Sequence, residues 1–167
     1  NTTGSNNTFV GNQTGKDNNT GTLNSFFGFQ AGIFNTVGGS NTFIGYQSGY
    51  SNLSGNSNSF LGRASGFYNT SGSSNTFTGI YSGFNNTTGS YNTFSGYMAG
   101  VSNTTGNQNA SFGQESGYSN TTGSNNVLVG FYAGRFIADG TTSATVLNNS
   151  VLLGHTSKPQ ADNQTNQ

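Results

Sequence analysis

The glycines of this chain recur at every seventeenth position, and no other feature constrains the fold as strongly. Of the 27 glycines, all but Gly39 and Gly154 belong to one of three series with one member per repeat. The first series occupies positions 11, 28, 45, 62, 79, 96, 113 and 130, the second 15, 32, 49, 66, 83, 100, 117 and 134, and the third 4, 21, 38, 55, 72, 89, 106, 123 and 140. Low-complexity segments are biased in composition, whereas a phase held over eight units is typical of a repeat protein.

Two asparagine columns and one phenylalanine column keep the same phase. The first asparagine column stands four residues before each glycine of the first series: Asn7, Asn24, Asn41, Asn58, Asn75, Asn92, Asn109 and Asn126. The phenylalanine column stands two residues before that glycine: Phe9, Phe26, Phe43, Phe60, Phe77 and Phe94, with Ser111 and Leu128 in the last two repeats. The second asparagine column stands seven residues after it: Asn18, Asn35, Asn52, Asn69, Asn86, Asn103 and Asn120. The consensus is N-[ST]-F-[aliphatic]-G-[aromatic]-x-[small]-G-[aromatic]-x-N-T-T-G-S-x.

A repeat of this length predicts short strands joined by turns. Helical-hairpin repeats need about 34 residues, and each glycine would cost about 1 kcal/mol inside a helix. The N-T-T-G-S segment is typical of turns, because glycine adopts positive φ freely and asparagine tolerates it. Residues Asn41–Tyr46 are rich in β-branched and aromatic side chains and are predicted to form a strand. Residues Gly49–Asn52 are predicted to form a second, shorter strand.

We therefore predict an all-β fold, a parallel β-solenoid (β-roll) with 17 residues per coil and about eight regular coils. Coils stacked about 4.8 Å apart pair each strand with the strands above and below. Identical residues then lie in columns along the axis, so the first asparagine column is predicted to form a buried side-chain ladder and the phenylalanine column a stacked core. Glycines are predicted where the chain turns or coils approach closely: Gly45, Gly49, Gly55, Gly62, Gly66 and Gly72.

The phase is lost once, towards the end of the chain. The interval from Gly130 to Gly154 is one repeat plus seven further positions. Because one coil cannot absorb such an excess within its stack, we predict that the extra residues loop out. The predicted organisation is a regular solenoid over 1–140, an insertion or crossover loop over 141–148, and a terminal coil with a tail over 149–167.

Alternation along the strand predicts an apolar stripe on the outside of the solenoid. Phe43 faces one side of its strand, whereas Ile44 and Tyr46 face the other, which would be polar if water covered it. The apolar stripe consists of Val10, Phe27, Ile44, Leu61, Phe112 and Val129 beside Phe29, Tyr46, Ile80, Tyr97 and Phe131. It is interrupted by Thr78, Ser95, Arg63 and Gln114. A long exposed apolar surface favours contact between subunits, so we predict a homo-oligomer.

Residues that carry chemistry are sparse and scattered. Four basic residues balance four acidic ones, so the sequence predicts no nucleic-acid partner, and no apolar run is long enough for membrane insertion. His155 is the only histidine, and cysteine is absent, so no metal site is predicted. The acids Asp17, Glu115, Asp139 and Asp162 lie in different repeats or in the tail, too far apart for the paired carboxylates of a glycosidase. We predict no cofactor and no enzymatic activity.

The segments "NTFIGYQSGYSN" and "NTTGSNN" resemble repeats of bacteriophage tail-fibre and tailspike-like proteins that end in an endosialidase-type intramolecular chaperone. More distantly, the chain is similar to the left-handed β-roll heads of trimeric autotransporter adhesins, whose N-S-x-x-x-G motif matches "NSVLLG" at Asn149–Gly154. The resemblance covers nearly the whole chain. It implies a homotrimeric, extracellular fibre, on a virion tail or a cell-surface appendage, with a host-surface glycan or receptor as partner. The sequence contains no counterpart of the chaperone domain, so the chain is expected to be a fragment or a processed product.

The predicted function is therefore that of a non-enzymatic structural or adhesive fibre segment, a shaft or head that presents a surface for host or glycan attachment. A second prediction is an ice-binding or water-organising solenoid, based on two adjacent threonine columns: Thr87, Thr104 and Thr121 beside Thr88, Thr105 and Thr122. A third is a segment of a tailspike depolymerase, which would need a cluster of acids. Thermal hysteresis and depolymerase assays distinguish these alternatives from the first.

Overall fold

The predicted parallel β-solenoid is confirmed. The computed structural model describes residues 2–137 and 139–160, and within them the chain forms one sheet of nine parallel strands stacked in chain order, without a helix. The strands are β1 Thr8–Val10, β2 Ser25–Phe27, β3 Thr42–Ile44, β4 Ser59–Leu61, β5 Thr76–Thr78, β6 Thr93–Ser95, β7 Ala110–Phe112, β8 Val127–Val129 and β9 Val151–Leu153. From β1 to β8 each residue pairs with its equivalent in the next repeat, so the period of the sequence is the register of the sheet.

Backbone hydrogen bonds join each coil to both of its neighbours. In β3, the Thr42 N–H donates to the Asn58 carbonyl of the next coil at 2.8 Å. The Gly45 N–H donates in the other direction, to the Phe27 carbonyl of the preceding coil, also at 2.8 Å. A coil therefore satisfies its buried backbone groups only when coils lie on both sides, as expected for a repeat that cannot fold alone.

The apolar core follows the phenylalanine column, with Ala31 and Ala99 packed against it. Adjacent rings from Phe26 to Phe94 stack with centroids 4.6 to 5.0 Å apart and planes within 8° of parallel. These side chains are at most 2% exposed. The stack ends where Ser111 takes the place of phenylalanine, and a second apolar cluster around Leu128, Leu147 and Leu152 fills the remaining coils.

The predicted second strand at Gly49–Asn52 is wrong, because this part of the coil is built from turns. The Ser48 N–H donates to the Gly45 carbonyl at 3.4 Å, and the Asn52 N–H donates to the Gly49 carbonyl at 3.1 Å. Gly49 itself has φ of +60°, which is incompatible with a strand. Because the coil is so short, consecutive turns are what bring the chain back to its starting point.

The described residues on either side of position 138 place the insertion in a loop beside the stack. Phe136 and Ser143 form an isolated antiparallel bridge, and the Ala144 N–H donates to the Arg135 carbonyl at 3.0 Å, so the excursion lies between Phe136 and Ala144. The chain then rejoins the sheet in register, and Val151 of β9 pairs with Val127 of β8. The insertion therefore leaves the pairing of β9 with β8 unchanged.

Candidate functional site

The first asparagine column lies inside the solenoid and pairs mainly with backbone groups. From Asn7 to Asn109, each Oδ1 accepts the backbone N–H of the asparagine one coil later; Asn58 Oδ1, for example, lies 3.0 Å from the Asn75 nitrogen. The same side chain donates Nδ2–H to the third-series glycine that follows it, as Asn58 does to the Gly72 carbonyl at 2.8 Å. Asn126 Oδ1 accepts the backbone N–H of Ser150 at 3.0 Å. From Asn24 to Asn126 these side chains are at most 2% exposed, and Asn7 at the first coil is half-buried.

Direct bonding between asparagine side chains characterises the second asparagine column. Asn52 Nδ2 donates to Asn35 Oδ1 at 2.6 Å, and Asn69 Nδ2 donates to Asn52 Oδ1 at 2.7 Å. In the first column the corresponding bond appears only towards the C-terminal end, where Asn126 Nδ2 donates to Asn109 Oδ1 at 2.8 Å. The side-chain ladder expected of the first column is therefore carried chiefly by the second.

The three glycine series are required by three different close approaches. A Cβ on Gly45, where φ is +139°, would lie 2.5 Å from the Gly62 carbonyl oxygen of the next coil. A Cβ on Gly49 would lie 2.5 Å from the ring of Phe43. A Cβ on Gly55 would overlap the side chain of Asn52 and the carbonyl of the next third-series glycine. One coil later Gly62, Gly66 and Gly72 have the same surroundings.

In each coil, two residues other than glycine also adopt the left-handed conformation, which the sequence did not reveal. One is the second residue after the first glycine, such as Gln47 with φ of +54°. The other directly precedes the first asparagine column, such as Ser57 with φ of +57°. Leu23 and Tyr91 also occupy the position directly before the first asparagine column, both at φ of +60°. A bulky side chain in this region costs of the order of 1 kcal/mol.

The apolar stripe lies on the outer face of the strands, and all of its members are exposed. The exposed fractions range from 37% at Phe131 to 53% at Val10. Leu153 of β9 continues the first column of the stripe at 65%. Arg63, which interrupts the stripe, has its guanidinium 5.9 Å from the ring centroid of Tyr46 and 5.6 Å from that of Tyr81.

A second set of aromatic residues comes directly after the glycines of the second series, outside the stripe. Tyr50, Phe67 and Phe84 stack along the axis with centroids 4.6 and 5.2 Å apart. Tyr68 lies beside this stack, nearly perpendicular to Phe67 and to Phe84 at 4.7 and 5.1 Å. Phe34 lies in the same way against Tyr50, at 88° and 5.1 Å. The repeat consensus leaves the position of Phe34 and Tyr68 open, so only the structure reveals these two rings.

The acids that the sequence analysis considered lie in different parts of the chain, and Asp162 lies outside the described residues. Glu115 forms an ion pair with Arg135, whose guanidinium also lies 4.6 Å from the Tyr118 ring centroid. His155 stacks on Phe131 at 5.1 Å, and Asp17 is in the first coil. No group of three His, Cys, Asp or Glu side chains that could bind a metal ion occurs within residues 2–137 and 139–160.

Asp139 organises the inserted loop. A hydrogen bond from the Thr142 hydroxyl, and then those from the backbone N–H groups of Thr141 and Thr142, lower the pKa of the Asp139 carboxyl to about 2. The two backbone bonds are 2.8 Å long. The carboxylate is fully exposed and holds the turn of the loop closed.

The two threonine columns of the N-T-T-G corner differ in their hydrogen bonding. The Thr87 hydroxyl donates to the Thr104 carbonyl at 3.0 Å, and the Thr104 hydroxyl to the Thr121 carbonyl at the same distance. Thr88 and Thr105 point outward and are exposed. The corner is a bend and not a flat strand, so the two columns do not form one flat array of hydroxyls.

In comparisons with known proteins, no family model, no curated protein and no solved structure matches the chain. The resemblance to fibre and adhesin repeats therefore rests on the motifs quoted above and stays a prediction. Among the described residues there is no long apolar helix of the kind that crosses a lipid bilayer.

Proposed function

We propose that this solenoid is a non-enzymatic rod segment of an extracellular fibre, on a phage tail or a bacterial surface appendage. Three copies pack side by side through the apolar stripe, and the remaining faces present a surface for attachment to a host or a glycan. The observation that carries the proposal is the exposure of the apolar stripe from Val10 in β1 to Leu153 in β9, with interruptions at Thr78 in β5 and Ser95 in β6.

The size of the apolar stripe supports contact with another copy. Nine strands spaced about 4.8 Å apart give it a length of about 40 Å, and two columns of side chains give it a width of about 15 Å. The resulting area, with the polar interruptions included, is roughly 600 Å², and the largest apolar patches on monomers cover about 300 to 600 Å². This area also approaches the roughly 800 Å² that each partner contributes to a stable interface.

The composition of the apolar stripe favours identical partners in register. The column carried by the strands contains no charged residue, so copies aligned side by side bring no like charges together along this column. The only charge among the residues that interrupt the stripe is Arg63, and its guanidinium is already placed over Tyr46 and Tyr81. Obligate interfaces are enriched in the apolar and aromatic residues found here.

The oligomeric state tests this proposal. Size-exclusion chromatography with light scattering is expected to give three times the 17.3 kDa mass of one chain. The double substitution Ile44→Thr and Leu61→Ser is expected to give the mass of one chain, because it removes two adjacent apolar side chains from the stripe. Thr78 and Ser95 occupy the same column, so the coils accept these residues without loss of fold.

Val37→Thr is the matched control. Val37 is 52% exposed but lies at the N-T-T-G corner, away from the stripe, so its substitution should leave the mass unchanged. A mass of one chain for the unaltered protein at every concentration would overturn the proposed assembly. A stable dimer would support side-by-side packing but not the trimer.

A further inference from the structure

The ring of Tyr68 presents a free face to solvent. Both faces of Phe67 are covered, by Tyr50 on one side and Phe84 on the other. Tyr68 is nearly perpendicular to Phe67 and to Phe84 and almost equidistant from them, so its own face rests on their edges. Since Tyr68 is 46% exposed, the opposite face of its ring faces solvent. The plane of this ring runs along the axis of the solenoid.

Phe34 repeats this arrangement two coils earlier. It lies at 88° to Tyr50 of the following coil, as Tyr68 does to Phe84, and it is 38% exposed. Two coils correspond to about 10 Å along the axis. The backbone N–H groups of Phe34 and Tyr68 donate to the Tyr50 and Phe84 carbonyls at 3.2 and 3.0 Å, which fixes the position of both rings on the stack.

Polar side chains alternate with the two rings in the same column. Ser51 lies between Phe34 and Tyr68, and Asn85 follows Tyr68 one coil later. Both are half-buried, and neither side chain has a hydrogen-bond partner among residues 2–137 and 139–160. The aromatic flank row, Phe34, Ser51, Tyr68 and Asn85, therefore offers two ring faces with free hydroxyl and amide groups beside them.

We propose that the aromatic flank row binds an extended, uncharged polysaccharide that lies along the axis of the solenoid. One face of a pyranose ring carries axial C–H groups, which pack on the negative face of an aromatic ring, while its equatorial hydroxyls need hydrogen-bond partners at the sides. The row supplies both in alternation. This proposal rests on the attachment role proposed above and deepens it by naming the glycan class and the residues.

Other aromatic columns of this protein are less suited to sugars. Rings stacked along the axis, such as Tyr50, Phe67 and Phe84, turn only their edges outward because their faces contact each other. The two rings of the aromatic flank row stand across the stack. Tyr81 does so as well, at 84° to Phe84, but the Arg63 guanidinium lies over its ring at 5.6 Å. The row itself carries no charge, and the neighbouring Lys16 and Asp17 have opposite signs, so the row has no electrostatic preference for an anionic polymer.

Titration calorimetry with defined oligosaccharides tests the proposal. The probes are cellohexaose, mannohexaose and chitohexaose, with hyaluronan hexasaccharide as the anionic comparison. At least one neutral hexasaccharide is expected to bind, and its disaccharide to bind more weakly because a disaccharide cannot occupy the whole row. Tyr68→Ser is expected to weaken binding by about tenfold or more, as truncation of an aromatic anchor does. Ser51 and Ser102 occupy the same column, so serine is compatible with the coil.

Two further variants control for ring chemistry and for general exposure. Tyr68→Phe keeps the ring face and should bind like the unaltered protein. Tyr91→Ser removes the aromatic residue with the highest exposed fraction, 67%, from another face and should change nothing. Circular dichroism establishes that each variant is folded before titration.

Each opposing result has a distinct meaning. If no oligosaccharide binds the unaltered protein, both this site and glycan attachment in the proposed function are wrong. If a glycan binds and Tyr68→Ser binds equally well, only the aromatic flank row is wrong. Binding of hyaluronan alone, or equal loss in Tyr91→Ser, would also overturn the proposed site.

Discussion

Removal of one ring from the phenylalanine column should destabilise the whole solenoid. Phe60 is 1% exposed and stacks between Phe43 at 4.9 Å and Phe77 at 4.8 Å. In Phe60→Ala the lost burial is worth about 1.5 to 3 kcal/mol, and the two stacked contacts about 0.5 to 1.5 kcal/mol each. The backbone of Gly66 lies against the ring, and the surroundings of such a cavity relax only in part. We therefore expect the free energy of unfolding to fall by about 3 to 5 kcal/mol.

Urea unfolding followed by far-UV circular dichroism measures this loss. The transition should also broaden, because Phe60 joins the coils before it to the coils after it and stability in a solenoid depends on contacts between neighbours. Phe60→Leu is the control: Leu128 and Leu152 occupy the same column, so we expect a smaller loss, about 1 to 2 kcal/mol. A loss below about 1 kcal/mol in Phe60→Ala would refute the reasoning that this column is the packed core.

Three further predictions concern the ladder, the strained columns and the loop. Asn75→Leu should cost about 1 to 3 kcal/mol and speed hydrogen exchange of the Asn92 amide, which donates to Asn75 Oδ1 at 2.9 Å; unchanged exchange would contradict the ladder. Tyr91→Asn should raise the free energy of unfolding by about 0.5 to 1 kcal/mol, because asparagine tolerates φ of +60°; a loss of stability by urea titration would show that the tyrosine is not strained. The pKa of Asp139 is lowered from 3.8 to about 2, so its stabilisation of the loop is complete above 3.8 and is lost as the pH falls through 2. Nuclear magnetic resonance should then show loss of the Thr141 and Thr142 amide hydrogen bonds over that interval in the unaltered protein but not in Asp139→Ala, which should lack them throughout.

The period of the sequence predicted the fold because every coil repeats one set of contacts. A residue type that returns once per repeat must lie in one column, so Phe43 and Phe60 had to stack once the repeat was recognised. The same argument placed glycine where a Cβ would meet the neighbouring coil, as at Gly45. Alternation within a three-residue strand was enough to separate buried Phe43 from exposed Ile44.

Features that depend on torsion angles and not on residue type were not predictable. Gly49–Asn52 has a composition compatible with a strand, but positive φ at Gly49 makes it a turn. The left-handed columns contain residues as different as Gln47 and Tyr91, so no residue type marks them. The repeat period also did not predict the outward rings of the aromatic flank row. Their orientation depends on which faces of the neighbouring aromatic rings are already covered.

The inserted loop shows where this architecture accepts foreign sequence. Between Phe136 and Ala144 the chain leaves the wall of the solenoid and returns through an antiparallel bridge, while β9 keeps its place on β8. The corner just before the second asparagine column therefore works as a grafting point that leaves strand pairing unchanged. Peptides grafted at this corner of selected coils would be displayed in a straight line, at intervals of about 4.8 Å or its multiples.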